Sequence, residues 1–420
     1  MKEKKIIKTL LLSTFLIIVY GYCHAQEIEI VVSHNPVNST KTLKNAREGE
    51  EKDNKEKSAN AFEFRTVYQG SILGNVRGGI KTGVNYMGKL SITMRLDTEQ
   101  AGMWKGGSFF LNGINVHGGT PTSNLVGDFQ PISRNEATER TGLFELWYQH
   151  RIGRLSILAG LHDMNTSFGT SKFGGGSTNS AFGMFPSIAP NLGNTFSIFP
   201  RTMPGLYLKY ASEKITLQGA IYTGEQNTVE EDPFNVQWNF EESLFLVGEV
   251  HLKRMREKTE MGIIKLGAIY HSGNFPALAS STLQRKRNLG VYLITDQMLL
   301  CETADKGQGL GFFLEAGIAP GNQNMIDFFS AGGVVYKGLF PKRDNDVLFF
   351  GTVNSLLDEN FIDSLPFPRD RSRTILEMNY LLKINENISV QPDIQYIIDP
   401  SVNSSLRNAL LGILNFTFSH

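Results

Sequence analysis

The chain has 420 residues, with 41 basic and 41 acidic side chains and therefore no net charge. This balance argues against a nucleic-acid-binding protein, which normally carries a basic excess. No apolar run of about 20 residues follows the N-terminus, so the sequence also excludes a bundle of membrane-spanning helices. The composition, with 42 glycines and 28 phenylalanines against 3 tryptophans, is typical of an all-β protein with many short segments.

The first 25 residues are typical of a secretory signal peptide. They combine a lysine-rich start, an apolar core at 10–20 and the small residue Ala25 ahead of Gln26. A single anchoring helix is the alternative, although the apolar run is short for a membrane span. After cleavage Cys301 is the only cysteine, so we expect a mature fold without an internal disulfide bond.

Residues 26–60 differ in composition from the rest of the chain. The stretch 41–57 mixes lysine, arginine, glutamate and aspartate with almost no large apolar residue, so it cannot bury a core. We predict that 26–60 is a flexible, charged periplasmic segment. The remaining residues, 61–420, are predicted to form one membrane domain.

From residue 61 onward, apolar and polar side chains alternate, as in strands with one apolar face. The stretch 90–97 shows the pattern, with Leu90, Ile92, Met94 and Leu96 on one face and Ser91, Thr93, Arg95 and Asp97 on the other. Segments of about ten residues cross a bilayer as tilted strands. We predict an all-β fold, a transmembrane antiparallel β-barrel of about 16 strands, at 75–87, 89–97, 107–117, 142–151, 155–163, 204–211, 214–223, 242–252, 261–271, 287–296, 309–319, 328–337, 346–354, 372–382, 388–398 and 409–418.

The links between these segments mostly alternate in length. Short links are expected at 153, 211–214, 253–260 and 383–387, and long links at 118–141, 164–203, 224–241 and 355–371. Short periplasmic turns and long external loops are typical of outer-membrane barrels. The links at 97–107 and 297–308 are longer than usual periplasmic turns.

The long link 164–203 is rich in glycine and phenylalanine, which a purely solvated loop would not need. We predict that it folds into the barrel and narrows the pore. Packing over the rim, or at a subunit contact, is the alternative.

Five ordered stretches carry a resemblance to a known family. They are 96–99 with Trp104 to Phe109, then 125–133, then 144–149 with 158–165 and Phe168, then Pro204 to Tyr207, and finally Val390 to Pro400. Each is weak alone, but in this order they resemble the carbohydrate-selective porins of the OprB type over roughly 62–418. The resemblance implies a sixteen-stranded barrel that admits sugars by diffusion, without indicating which sugar.

The expected function is therefore a passive outer-membrane porin of a Gram-negative cell that lets mono- or small oligosaccharides into the periplasm. The expected partners are small sugars and outer-membrane lipid; no nucleic acid and no cofactor are expected. Porins of this shape often trimerise, so a homotrimer is also an expectation, although the sequence shows no oligomer patch. The rivals are a general or anion-selective porin, a barrel enzyme or adhesin, and a periplasmic or secreted all-β binding protein. Zinc-binding, nucleophile-elbow and phosphate-loop motifs are absent from the sequence, which argues against an enzyme.

Polar side chains on the predicted lumen faces are the candidate solute contacts. A sugar is neutral, rich in hydroxyls and flat on its apolar faces, so a selective pore needs donors, acceptors and an aromatic surface. For each charged residue, bracing of the wall by ion pairs is the alternative, and for Trp147 it is a place in the interfacial aromatic girdle. The candidates are Arg77, Lys81, Arg95, Asp97, Glu145, Trp147, Gln149, Asp393 and Gln395.

Overall fold

The computed structural model describes residues 61–420 except 226–233, 235–239, 241, 257–258, 279, 304–306 and 365–370. The predicted signal peptide at 1–25 and the predicted charged segment at 26–60 lie outside the described residues. Most of the long link expected at 224–241 also lies outside them.

Sixteen antiparallel strands form a closed barrel in which each strand pairs with its neighbours in sequence and the last pairs with the first. The strands are β1 (Phe62–Gly79), β2 (Gly83–Asp97), β3 (Gly107–Gly118), β4 (Arg140–Ile152), β5 (Leu155–His162), β6 (Met203–Ala211), β7 (Ile215–Thr223), β8 (Leu244–Arg256), β9 (Thr259–Ala277), β10 (Ser280–Thr303), β11 (Gln308–Ile318), β12 (Ile326–Lys337), β13 (Val347–Leu357), β14 (Ser372–Lys383), β15 (Ile388–Ile398) and β16 (Arg407–Ser419). The predicted fold class and strand number are confirmed.

The helices are short and lie in the links. Two are α-helical, α1 (Ala189–Leu192) and α2 (Glu359–Asp363), and one π-helical turn spans Thr122–Val126. Single 3₁₀ turns occupy Met164–Thr166, Gly174–Gly176, Ser180–Phe182 and Pro400–Val402. Within the described residues, no helix is long and apolar enough to cross a membrane.

Burial alternates along the strands because successive side chains point to opposite faces of the wall. On β1, Ile72 points outward and is exposed, whereas Ser71 and Leu73 point inward and are buried. The register carries this division around the barrel, since Leu73 lies opposite Ile413, which lies opposite Asp393. The main hydrophobic cluster is therefore inside the barrel, where inward side chains pack against long links.

The links mostly alternate in length, as predicted, although the β1–β2 link at 80–82 is shorter than the links 98–106 and 338–346 at the opposite end. The short links 153–154 and 212–214 lie at the end of the barrel where β1 begins and β16 ends. The longest links, 119–139 and 163–202, lie at the other end. Strand β10 extends to Thr303 and β11 begins at Gln308, so much of the segment 297–308, expected to be a link longer than usual periplasmic turns, belongs to β10.

The first predicted strand is wrong. Residues 75–87 are not one strand but a hairpin, in which β1 ends at Gly79 and β2 begins at Gly83. Gly78 and Gly79 adopt positive φ angles of 74° and 63°, which bend the chain where the sequence pattern continues without interruption. The true first strand starts at Phe62, and the predicted segment 89–97 is the second half of β2.

Candidate permeation pathway

The link 163–202 lies inside the barrel, because its phenylalanines pack on inward-facing aromatic side chains of the wall. The ring of Phe185 lies 4.8 Å, centroid to centroid, from Tyr292 on β10 and 4.8 Å from Phe329 on β12. Phe182 packs edge-on against Phe349 on β13 at 5.4 Å. Contacts of this kind add to the area that each ring buries. The predicted inward fold of this link is confirmed, and the alternative of packing over the rim is wrong.

Wall carboxylates hold the same link by its backbone. Asp296 on β10 accepts hydrogen bonds from the Ser171 hydroxyl at 2.5 Å and from the amides of Lys172 and Phe173 at 3.0 Å each. Glu377 on β14 accepts from the amide of Thr178 at 2.6 Å. Buried backbone amides need acceptors, and ionised acceptors give the stronger bonds. The link is thus fixed at points that span β10 to β14.

The link 119–139 also lies inside the barrel and interlocks with the first. Leu125, Val126 and Ile132 belong to the main hydrophobic cluster. The Gln130 side-chain amide donates to the carbonyl of Met184 at 2.9 Å, and the Arg134 amide donates to the carbonyl of Thr178 at 2.9 Å. We call residues 119–139 and 163–202 together the inner loops.

Three predicted contact residues lie on neighbouring strands of one wall. The register places Arg95 on β2 opposite Phe110 on β3, and Phe110 opposite Trp147 on β4. The Phe110 and Trp147 rings stack at 4.7 Å between centroids with planes 21° apart. Gln149 is the next inward-facing residue after Trp147 on β4, and it lies opposite Ser108. We call Arg95, Phe110, Trp147 and Gln149 the β2–β4 strip.

Trp147 therefore points into the barrel, and the alternative of an interfacial girdle position is wrong. Glu145, the preceding inward residue on β4, is buried and accepts hydrogen bonds from the Asp163 amide at 3.2 Å and from the Trp147 indole at 3.4 Å. Its carboxylate joins the wall to the start of a long link and fixes the indole orientation. This is a bracing position beside the β2–β4 strip.

Asp97 ends β2 and shapes the turn that follows. Its Oδ1 accepts hydrogen bonds from the amides of Glu99 at 3.0 Å and Gln100 at 3.1 Å. Aspartate commonly forms this kind of local turn with its own backbone. The carboxylate is thus engaged by the β2–β3 link rather than free toward the lumen.

Asp393 and Gln395 face inward on β15, as predicted, but they lie beneath an inner loop. Asp393 accepts a short hydrogen bond from the Thr178 hydroxyl, and Gln395 accepts from the Asn179 side chain at 2.9 Å. Gln395 also donates to Asp393 at 2.9 Å. Both side chains are buried, so a solute reaches them only if the loop moves.

Arg77 and Lys81 do not lie on the lumen wall, contrary to the prediction. The register of β1 shifts between Asn75 and Arg77, and this bulge places Arg77 opposite the outward-facing Leu410. Lys81 is exposed in the β1–β2 turn. The assignment failed because it extended one strand through the hairpin, so its two-residue period assigned the wrong face.

The sequence did not identify several charged residues in or beside the inner loops. Arg134 donates to the carbonyl of Gly174 at 3.1 Å and to the Ser177 hydroxyl at 2.6 Å, which ties one inner loop to the other. Arg140, where β4 begins, donates to the carbonyls of Pro200 and, at 3.4 Å, Leu143. The only sequence signal was the stretch 125–133, singled out for its resemblance and not for these contacts.

Glu136 is a second missed group, and it is buried. Its carboxylate accepts hydrogen bonds from the Thr122 amide at 2.8 Å and from the Thr122 hydroxyl at 2.5 Å. Burial raises the pKa of Glu136 from 4.5 to about 7, which outweighs the lowering by these hydrogen bonds. The inner loop 119–139 therefore binds a proton more tightly when it is folded inside the barrel.

Exposure differs between the two sides of the lumen. Inward aromatic residues on β8, β11 and β13 are fully buried by the inner loops, namely Phe245, Phe313 and Phe349. The members of the β2–β4 strip keep part of their surface accessible. Within the described residues, no group of three or more His, Cys, Asp or Glu side chains is arranged to hold a metal ion.

The sequence model of the family described as carbohydrate-selective porin, OprB family, matches residues 81–420. A relative named Porin B, from Pseudomonas aeruginosa, is 22% identical over 398 residues, covering 84% of this chain and 86% of the relative.

Solved structures agree on the fold. A high-pH structure of Pseudomonas putida OprB aligns with a TM-score of 0.78 at 18% identity, covering 89% of this chain and 96% of that chain. A low-pH structure of the same protein aligns over the same shares with a TM-score of 0.53 at 16% identity. At these identities the two likenesses concern the fold.

Proposed function

The chain belongs to the carbohydrate-selective porin family, OprB, and from this membership we propose that it gives mono- or small oligosaccharides a passive, selective path across the outer membrane into the periplasm. Both the family and the closed barrel imply a channel rather than an enzyme. Solute would move down its concentration gradient through water that remains between the inner loops and the wall. The observation that carries the proposal is the stacked pair of Phe110 and Trp147 beside Arg95.

The chemistry of the β2–β4 strip suits a neutral sugar. The stacked rings offer a flat apolar surface to the CH face of a pyranose, and Gln149 offers both a donor and an acceptor. The Arg95 guanidinium donates to the Ser108 hydroxyl at 3.2 Å and has further N–H groups for solute oxygens. A weak, repeated contact of this type favours entry while still permitting release.

The side of the lumen that the inner loops fill also supports the proposal of a sugar channel. Carboxylates on β10 and β14 hold the link 163–202, so the narrowing that it causes is a fixed part of the barrel. Arg134 directs its donors at loop carbonyls, so these N–H groups hold the loops together and are not offered to solute.

The proposal is tested by liposome swelling with isomeric monosaccharides, followed by single-channel recording during a sugar titration. We expect swelling rates that differ among isomers of equal size, and a current block that saturates with the preferred sugar. Swelling that follows solute size alone would instead establish the rival, a general diffusion porin. A marked preference for anions in the conductance would establish the anion-selective rival.

Trp147→Ala gives the residue-level test. We expect the saturating sugar block to weaken by about tenfold, which corresponds to losing roughly 1.4 kcal/mol of stacking. Trp104→Ala is the matched control, because Trp104 lies exposed in the β2–β3 turn and donates only to the Tyr148 hydroxyl at 2.8 Å. Equal effects of the two variants would remove Trp147 from the solute path.

We also infer that residues 1–25 direct export and that residues 26–60 lie in the periplasm. N-terminal sequencing of the protein from purified outer membranes tests the first, with Gln26 expected as the new terminus. The homotrimer stays a prediction, checked by chemical cross-linking in native membranes. A monomer under conditions that cross-link other membrane oligomers would contradict it.

A further inference from the structure

An apolar trough crosses the outer wall of the barrel where the first and last strands meet. Its volume is about 550 Å³, which lies within the roughly 300–1,000 Å³ typical of small-molecule sites. Gly74 on β1 and Gly412 on β16 lie opposite each other on its floor. A Cβ added to Gly412 would meet no atom within 4 Å, so the trough exists because this position lacks a side chain.

The sides of the trough are outward-facing apolar side chains. Ile72 and Leu414 are the neighbouring outward-facing residues of Gly74 and Gly412 on their strands. Val84 on β2 lies opposite Gly74. All three side chains are more than two-fifths exposed. The trough therefore opens away from the lumen, toward the surface that a barrel presents to lipid.

Three cationic residues lie on or next to β1, β2 and β16, near the end of the barrel where the longest links lie. Arg77 lies three residues above Gly74, Lys81 three residues before Val84, and Arg407 five residues before Gly412. At about 3.3 Å per residue, the cations lie roughly 10–17 Å along the strands from the trough floor. All three are exposed, and within the described part of the chain none of their side chains makes a hydrogen bond or an ion pair.

Polar side chains mark the neighbouring outward surface as well. The Tyr86 hydroxyl on β2 forms a short hydrogen bond with the Tyr68 hydroxyl on β1, and Tyr68 lies 3.2 Å from Nε2 of His117 on β3. Hydroxyl and imidazole groups on a lipid-facing surface are costly unless they have hydrogen-bond partners. Tyr86 is the next outward residue after Val84, so the polar group lies beside the trough.

We propose that this surface binds a phosphorylated, acylated lipid of the outer leaflet, with one acyl chain in the trough. The trough supplies an apolar seat, and Arg77, Lys81 and Arg407 supply unpaired positive charge where the phosphate-bearing headgroup begins. Tyr68 and Tyr86 lie on the other side of the trough floor from the three cations, so the headgroup contact is assigned to the cations alone. The proposal rests on the outer-membrane location proposed above, but its readout is lipid binding and not sugar passage.

The test is native mass spectrometry of the full chain in a non-ionic detergent, titrated with bisphosphorylated lipid A and with its dephosphorylated form. Gly412→Leu fills the trough, and Arg77→Gln/Lys81→Gln/Arg407→Gln removes the charge. We expect each to weaken binding of bisphosphorylated lipid A by at least tenfold. We expect the dephosphorylated lipid to bind the unmodified protein at least tenfold more weakly than the bisphosphorylated one.

Two matched controls separate the site from general effects. Gly248→Leu makes the same change at an outward glycine on β8, where an added Cβ meets only the Gln218 carbonyl at 3.8 Å. Lys105→Gln/Arg154→Gln/Lys214→Gln removes three exposed charges from the short links at the opposite end. Both are expected to bind lipid A like the unmodified protein, and heat-modifiable gel mobility checks that every variant is folded.

Equal binding by all variants would overturn the proposal and leave only ordinary bilayer contact. A dimer signal that Gly412→Leu abolishes would overturn it in favour of a second copy of this chain. Loss of binding in the charge variant alone would overturn the proposal that an acyl chain lies in the trough. Normal sugar swelling with no lipid selectivity would reject the lipid site and leave the proposed channel function intact.

Discussion

Asp128 and Arg373 form an ion pair inside the barrel, with 3.0 Å between Oδ2 and Nη1 and with both side chains almost completely buried. The pair joins an inner loop to β14. Arg373 also donates to the Gln130 side chain at 3.1 Å and lies 4.2 Å from the centre of the Phe129 ring. Removing one partner of such a pair leaves a buried charge without compensation, which costs far more than the pair itself contributes.

Asp128→Asn should therefore destabilise the barrel by about 3–5 kcal/mol and release the loop 119–139 from β14. The checks are urea unfolding in lipid vesicles and single-channel conductance, which we expect to rise as the lumen widens. Glu359→Gln is the matched control, because its partner Arg371 lies at 2.7 Å in an exposed pair. An exposed pair contributes about 0–1 kcal/mol, so similar losses in both variants would contradict a special role for Asp128.

The second prediction concerns pH and Glu136. Because the pKa of this carboxyl is raised to about 7 inside the barrel, the docked loop keeps a proton that a released loop loses above pH 4.5. Docking is therefore strongest below pH 4.5 and weakens as the pH rises to about 7, by roughly 3 kcal/mol over that window. Current noise from loop opening should increase between pH 5 and pH 8. Glu136→Gln should show noise that is independent of pH, and a pH response that survives this change would refute the assignment.

The third prediction concerns the carboxylate that holds the link 163–202. Asp296→Asn keeps the size of the side chain but turns one acceptor into a donor that faces the amides of Lys172 and Phe173. We expect hydrogen exchange of these amides to accelerate by about tenfold or more, as expected from losing at least one charged hydrogen bond. Asp363→Asn in the exposed helix α2 is the control and should leave their exchange unchanged. Unchanged exchange in both variants would mean that packing alone holds the link.

The fourth prediction separates two arginines that the sequence treated alike. Arg95→Ala should change single-channel conductance and weaken sugar block several-fold, since Arg95 faces the lumen beside Phe110. Arg77→Ala should change neither, since the bulge in β1 places Arg77 opposite the outward Leu410. Recording both variants under identical salt conditions is the measurement. A conductance change from Arg77→Ala would return that residue to the pathway.

The barrel itself was largely readable from the sequence. Alternation is a local property of a strand, and it placed β15 at 388–398 and β14 within one residue of its observed end. The alternation predicted one strand at 75–87 where the structure has a hairpin. Gly78 and Gly79 turn the chain there without interrupting the order of apolar and polar residues. The inward direction of Trp147 also depended on the register with β3.

The sequence by itself determined the wall: its strands, its two faces and the alternating lengths of its links. Only the tertiary structure decided how the lumen is filled, because Asp128 and Arg373 are separated by 245 residues and Thr178 and Asp393 by 215. The periodicity within a strand carries no information about such long-range contacts. Asp393 and Gln395 contact the inner loops only because the closed barrel brings residues far apart in the sequence into contact. The alternation of residues along one strand therefore could not show that these two side chains are covered while the β2–β4 strip stays accessible.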